Sequence, residues 1–104
     1  MTAHEAVTLM YAAGLKPLPG PWDGTWEVDV YGTTVRFGAE VSGVGWYAVW
    51  PGALGGAFVK AHGPCLISAL KALVDRLMGA RFAYGSAGAA RRISELVTRL
   101  EAAR

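Results

Sequence analysis

Apolar residues recur first at helical spacing, then at every second position, then at helical spacing again, and these changes of period predict the elements. Ala6, Val7, Leu9, Met10 and Ala13 fall on neighbouring faces of a short helix, and Thr2-Ala3-His4-Glu5 has capping-box spacing at its start. Gly14 stands where a helix stops, and Pro17 prevents resumption. Lys16 to Gly24 holds three Pro and two Gly and is expected to be a loop without regular structure, its Trp22 folded back onto the core.

From Thr25 the period is two. Trp26, Val28 and Val30 alternate with Thr25, Glu27, Asp29 and Tyr31, as a half-buried strand requires. Gly32-Thr33 can form a two-residue type II′ turn, which pairs Val30 with Val35, Asp29 with Arg36, Val28 with Phe37 and Trp26 with Ala39. Ser42-Gly43-Val44-Gly45 is the next turn. If Val41 pairs with Trp46, then Trp46, Ala48 and Trp50 join the face of Phe37, Ala39 and Val41, while Tyr47 and Val49 lie on the other face with Glu40. Pro51 to Gly56 forms a third turn, and Ala57 to His62 a fourth, edge strand.

Gly63-Pro64 opens a second helix with Pro at its first position, and Gly79 closes it. Leu66, Ala69, Leu70, Leu73, Val74 and Leu77 give it a broad apolar face, leaving Ser68, Lys71, Asp75 and Arg76 for solvent. Ser86 is the expected cap of a third helix, whose Ile93, Leu96, Val97 and Leu100 recur at i, i+3, i+4 and i+7. The expected fold is α+β: an N-terminal helix, a four-stranded antiparallel meander, and two C-terminal helices packed on the face of Trp26, Val28, Phe37 and Trp50. The Ile93 stripe or an open strand edge would also serve a homodimer.

Length and composition narrow this further. A chain of 104 residues has room for one domain spanning 1–104, and eleven aromatic residues separate it from chains that stay disordered. No apolar run approaches the ~18 residues of a membrane span, and Met1-Thr2-Ala3-His4-Glu5 lacks the basic start of a secretion signal, so the expectation is cytoplasmic, with no membrane partner. Residues 1–51 carry Lys16 and Arg36 against five carboxylates, whereas residues 52–104 carry eight Lys or Arg against three. Such polarity steers partners or makes self-complementary faces.

Catalytic chemistry finds little to use. Cys65 is the only cysteine and His4 and His62 the only histidines, too few for a zinc site, and no cofactor motif appears. His62-Gly63-Pro64-Cys65 places a thiol near a helix start, where its pKa can fall, but no third group orients the pair. Glu27, Asp29 and Glu40 suit a solvated strand face better than acid–base work, with Arg36 already answering Asp29. Gly43-Val44-Gly45, Gly52 and Gly55-Gly56 lack the context of a phosphate loop.

Two binding surfaces remain. Tyr31, Tyr47, Val49 and Phe58, ringed by Glu27, Asp29, Arg36, Glu40, Lys60 and His62, have the aromatic centre and polar rim of a protein interface; Tyr31, Arg36, Tyr47, Phe58 and Lys60 are the expected partner contacts. On the helical side Arg76, Arg81, Arg91, Arg92, Arg99 and Arg104 could track phosphate, Arg91, Arg92 and Arg99 above all, although Asp75, Glu95 and Glu101 dilute the patch. Acids on the sheet face disfavour base stacking there.

Gly45-Trp46-Tyr47-Ala48-Val49-Trp50-Pro51, then Leu54-Gly55-Gly56, Gly63 and Ala69-Leu70-Lys71-Ala72-Leu73, resemble HicB-type antitoxins over residues 44–78. Gly55 stands where that family prefers Pro, and Cys65-Leu66-Ile67 replaces its Thr-Leu-Glu-Glu helix start. The segment is similar as well to small phage-encoded proteins of β-β-β-α plan. The double-stranded-RNA-binding fold shares the element order, but the leading Lys cluster of its second helix is missing here. The resemblance implies a phage or mobile-element context and a macromolecular partner. The leading expectation is a non-enzymatic inhibitor or adaptor that covers a larger protein or protein complex, in the manner of anti-CRISPR proteins. The alternative is an antitoxin or nucleic-acid-binding module.

Overall fold

The computed structural model describes residues 2–21, 24–40, 44–52, 58–79 and 85–104. Along the chain run α1 (Ala3–Ala12), β1 (Leu18–Pro19), β2 (Thr25–Val30), β3 (Thr33–Ala39), β4 (Trp46–Trp50), β5 (Val59–Gly63), α2 (Leu66–Gly79) and α3 (Ser86–Ala103). The capping box forms: the Glu5 N–H donates to Thr2 Oγ1 at 3.1 Å, and the Glu5 carboxylate reaches back to the Thr2 N–H. At the other end Gly14, at φ 84°, lets its own N–H reach the Tyr11 carbonyl and the Leu15 N–H reach that of Met10. These are the two bonds of a Schellman stop.

The strands form one antiparallel sheet in sequence order, β1 to β5. Five strands therefore stand where four were expected. The addition is the pair Leu18–Pro19, which lies against Trp26 and Glu27 within the segment read as loop. Proline lacks an N–H but is tolerated on an edge strand, and the following Gly20 N–H donates to Thr25 O at 2.7 Å. Trp22 lies outside the described residues.

The β2–β3 hairpin turns at Tyr31-Gly32 rather than at Gly32-Thr33. Both residues have positive φ, 52° and 86°, as a type I′ turn demands, and Val30 pairs with Thr33. Relative to the expected register the strands are displaced by two residues. Because side chains alternate with period two, every residue keeps its expected face and only its neighbours change. Val28 meets Val35, Trp26 meets Phe37, and Arg36 meets Glu27 instead of Asp29. A second shift of two places Trp46 opposite Ala39, not Val41, which is outside the described residues together with 42–43 and with 53–57 of the third turn.

All three helices contribute to a core on the Val28, Val35, Phe37, Ala48 and Trp50 face. α2 packs on β4 and β5, α3 packs on α2 and β2, and α1 leans on α3. Leu66, Leu70, Leu73 and Leu77 of α2 meet Ile93, Leu96 and Leu100 of α3 in that core, each at most 1% exposed. The α3 stripe is thereby consumed within the chain and is not free to form a homodimer. Two helix starts also differ from expectation. α2 begins at Leu66, with the Cys65 carbonyl accepting from the Ala69 N–H, so Pro64 precedes the helix. α3 is preceded by Gly85 at φ 79°, and Ser86 is a buried first residue rather than the cap. Among the described residues no helix is long and apolar enough to cross a membrane.

Candidate partner-binding face

The sheet face opposite α2 and α3 stays half-exposed, with Ala3 at the start of α1 bordering its groove, and the ladder arranges it in rows. Thr25, Gly38, Tyr47 and His62 make one cross-strand row; Glu27, Arg36, Val49 and Lys60 make the next. In the first row the Tyr47 ring extends across β3, over Gly38, until its hydroxyl meets Thr25 Oγ1 at 3.0 Å. Only glycine permits this. A Cβ at position 38 would stand 2.7 Å from the Tyr47 hydroxyl and 2.8 Å from the Gly24 carbonyl. The Lys60 ammonium lies over the same ring, 5.0 Å from its centroid, a cation–π contact worth ~0.5–1 kcal/mol on an exposed surface.

In the second row Arg36 Nε donates to Glu27 Oε1 at 2.6 Å, a surface pair of about 0–1 kcal/mol that chiefly fixes the guanidinium across the strands. Asp29, the partner expected for Arg36, instead accepts the Gly32 N–H at 3.3 Å and steadies the turn. At the sheet end Glu40 accepts from His62 Nδ1. Between these fixed groups runs a groove of 740 Å³, lined by Tyr47, Val49, Pro51 and Phe58 with Arg36 and Lys60 beside them. Phe58 is 66% exposed, a large apolar side chain left in water. Among the ions of this groove, the two acids, Glu27 nearby and Glu40, have partners, whereas no described carboxylate lies within ion-pair distance of Lys60.

Of the residues expected to contact a partner, Arg36, Tyr47, Phe58 and Lys60 are brought together. Tyr31 is not: it stands at the hairpin tip, where its hydroxyl accepts from Arg99 Nη1 at 2.9 Å and its ring lies 5.8 Å from the guanidinium carbon. Arg99 also donates to the Ala13 carbonyl, closing the end of α1. Arg92 donates to Thr33 Oγ1 at 3.2 Å beside a polar hollow of 510 Å³, and Arg91 is exposed. The three arginines expected to bind phosphate are thus one exposed cation, one tied to β3 and one used as an internal strut. Arg81 lies outside the described residues.

The candidate thiol site separates into two unrelated pairs, His62 with Glu40 and Cys65 with Ser68. The Cys65 N–H donates to Ser68 Oγ at 3.0 Å, while the Ser68 hydroxyl faces the Cys65 carbonyl at 2.9 Å and the sulfur at 3.3 Å. That hydroxyl first, and the Ser68 backbone N–H second, hold the thiol below its ordinary value of 9.0. Among the described residues no group of three His, Cys, Asp or Glu could hold a metal ion.

Sequence reasoning missed Thr25, Gly38 and the Glu27–Arg36 pairing. Their signal is the Tyr31-Gly32 turn: with that register in hand, Gly38 falls beside Tyr47 and Glu27 beside Arg36. No family model, curated protein or solved structure matches the chain.

Proposed function

We propose that the chain is a non-enzymatic binding module that docks its open sheet face onto a larger protein or protein complex. The observation that carries this reading is the groove around Tyr47, Val49 and Phe58, where an exposed aromatic ring adjoins half-buried apolar residues and is rimmed by Arg36, Glu40 and Lys60; the other exposed large apolar side chains among the described residues, Tyr11, Leu18, Tyr31, Val44 and Met78, line no such groove. In its sharpest form the module is an inhibitor encoded by a phage or mobile element against a host complex, anti-CRISPR-like in action. That form draws on the resemblance of residues 44–78 and not on the geometry.

Affinity capture from source-cell extract, followed by measurement of the purified partner, tests the reading. Phe58→Ala and Arg36→Ala are each expected to weaken binding tenfold or more, about 1.4 kcal/mol, while Arg91→Ala binds normally. Wild-type affinity in both face variants would remove the sheet face from consideration. The rival, an antitoxin or nucleic-acid module built on Arg91, Arg92 and Arg99, draws less support, because Arg92 and Arg99 already serve the fold. It requires binding to DNA or RNA that falls steeply between about 50 and 200 mM salt, by ~10³ for about six phosphate contacts.

A further inference from the structure

We infer that the groove receives an extended, acidic segment of a partner protein, with a carboxylate at Lys60 and a large apolar side chain two residues away against Val49 and Phe58. This rests on the proposed use of the sheet face and names the chemistry of what docks there. The charge follows from the ion inventory. Glu27 is answered by Arg36 and Glu40 by His62, so Lys60 is the groove ion with no described carboxylate beside it. A partner that covered Lys60 without supplying an anion would strip water from an ammonium that the Tyr47 ring compensates only in part, whereas a carboxylate turns that cost into a charge-assisted hydrogen bond.

The spacing follows from the sheet. Tyr47, beneath the Lys60 ammonium, and Val49 are successive outward residues of β4, about 6.6–6.8 Å apart at the usual rise of a strand. An extended chain laid along β4 presents every second side chain at the same interval. An acidic residue and a bulky apolar residue at i and i+2, in either direction, therefore match the ammonium and the apolar end of the groove. A helical segment would offer i, i+3 or i+4 pairs instead.

The probe is a displayed library of random twelve-residue peptides, selected on the full chain and in parallel on Lys60→Glu. Selected peptides are then titrated by fluorescence polarisation and mapped by amide chemical shifts. The expected result is enrichment of Asp or Glu two positions from Leu, Phe or Trp, with shifts at Tyr47, Val49 and Lys60. Lys60→Glu should weaken binding tenfold or more, Lys60→Arg should retain it, and exchanging the acid for Lys in the peptide should restore affinity for Lys60→Glu. Lys60 is exposed, so Lys60→Glu should lower the melting temperature by no more than the few degrees that losing the Tyr47 contact accounts for, which excludes misfolding.

Peptides that map to the face yet show no acidic preference, or bind Lys60→Glu equally, overturn the inference and leave the proposed face standing. Shifts confined to α3 overturn both. No enrichment over the parallel selection, or a twelve-nucleotide oligothymidylate that displaces the peptide from the same residues, overturns the acidic-peptide assignment.

Discussion

Tyr47 reaches Thr25 only because residue 38 has no side chain, so a single methyl group at that position tests the whole row. Gly38→Ala is expected to lift the ring, break the Thr25 bond and destabilise the fold by about 1–3 kcal/mol, read as a lower urea midpoint at unchanged slope. Cys65 offers a second test at the same scale. Its alkylation by iodoacetamide should reach half-maximal rate below pH 9.0, and Ser68→Ala should move that midpoint upward, since the Ser68 hydroxyl is the foremost cause of the lowering. The sign for stability follows. The thiolate is favoured by the fold, so its contribution is full above the ordinary thiol value and is lost as pH falls through the lowered native one. Neither residue advertised itself in sequence: Gly38 looks like an interruption of a strand, and the Cys65–Ser68 contact shows only once the start of α2 brings the two side chains together.

Among the helices, α1 buries the fewest residues. Ala6 and Met10 bury its inner face, α3 is its chief neighbour, and Arg99 joins the carbonyl of its C-cap Ala13 to Tyr31 at the hairpin tip. Arg99→Met keeps much of the aliphatic stem and removes both bonds. It should cost about 1–3 kcal/mol and lower hydrogen-exchange protection in α1 before it does so in α2. The same arginine meets the turn residue whose use differs from expectation. Gly32-Thr33 offers Gly at the first central position of a type II′ turn, whereas the turn formed puts Tyr31 at φ 52°, an unusual conformation for Tyr, where its ring and hydroxyl lie against Arg99. Periodicity made the helices, the strands from β2 onward and both sheet faces legible, because a shift of two leaves faces intact. It could not reveal β1, which is two residues long and half proline, nor the pairings that decide which acid meets Arg36.

For the molecule as a whole, the division into a helix-covered face and an open one should separate stability from binding. Leu70→Ala, at a position fully enclosed by the core, is expected to cost about 2–5 kcal/mol in chemical denaturation, whereas Phe58→Ala should change stability by no more than about 1 kcal/mol. A Phe58 variant that unfolds like Leu70→Ala would make the groove part of the core. The strand order bears on how the chain is made. Each strand pairs with the one synthesised just before it, so the sheet can grow as it leaves the ribosome. Its cover cannot. α3, the latest of the described elements, packs back on β2 and α1, the earliest, so the inner face of β2, with Val28 and Val30, awaits that cover until translation has passed Leu100. Nascent chains stalled before that point should present the apolar face of β2 beside a half already covered by α2, and a chaperone that holds such surfaces would find this protein during its synthesis rather than after it.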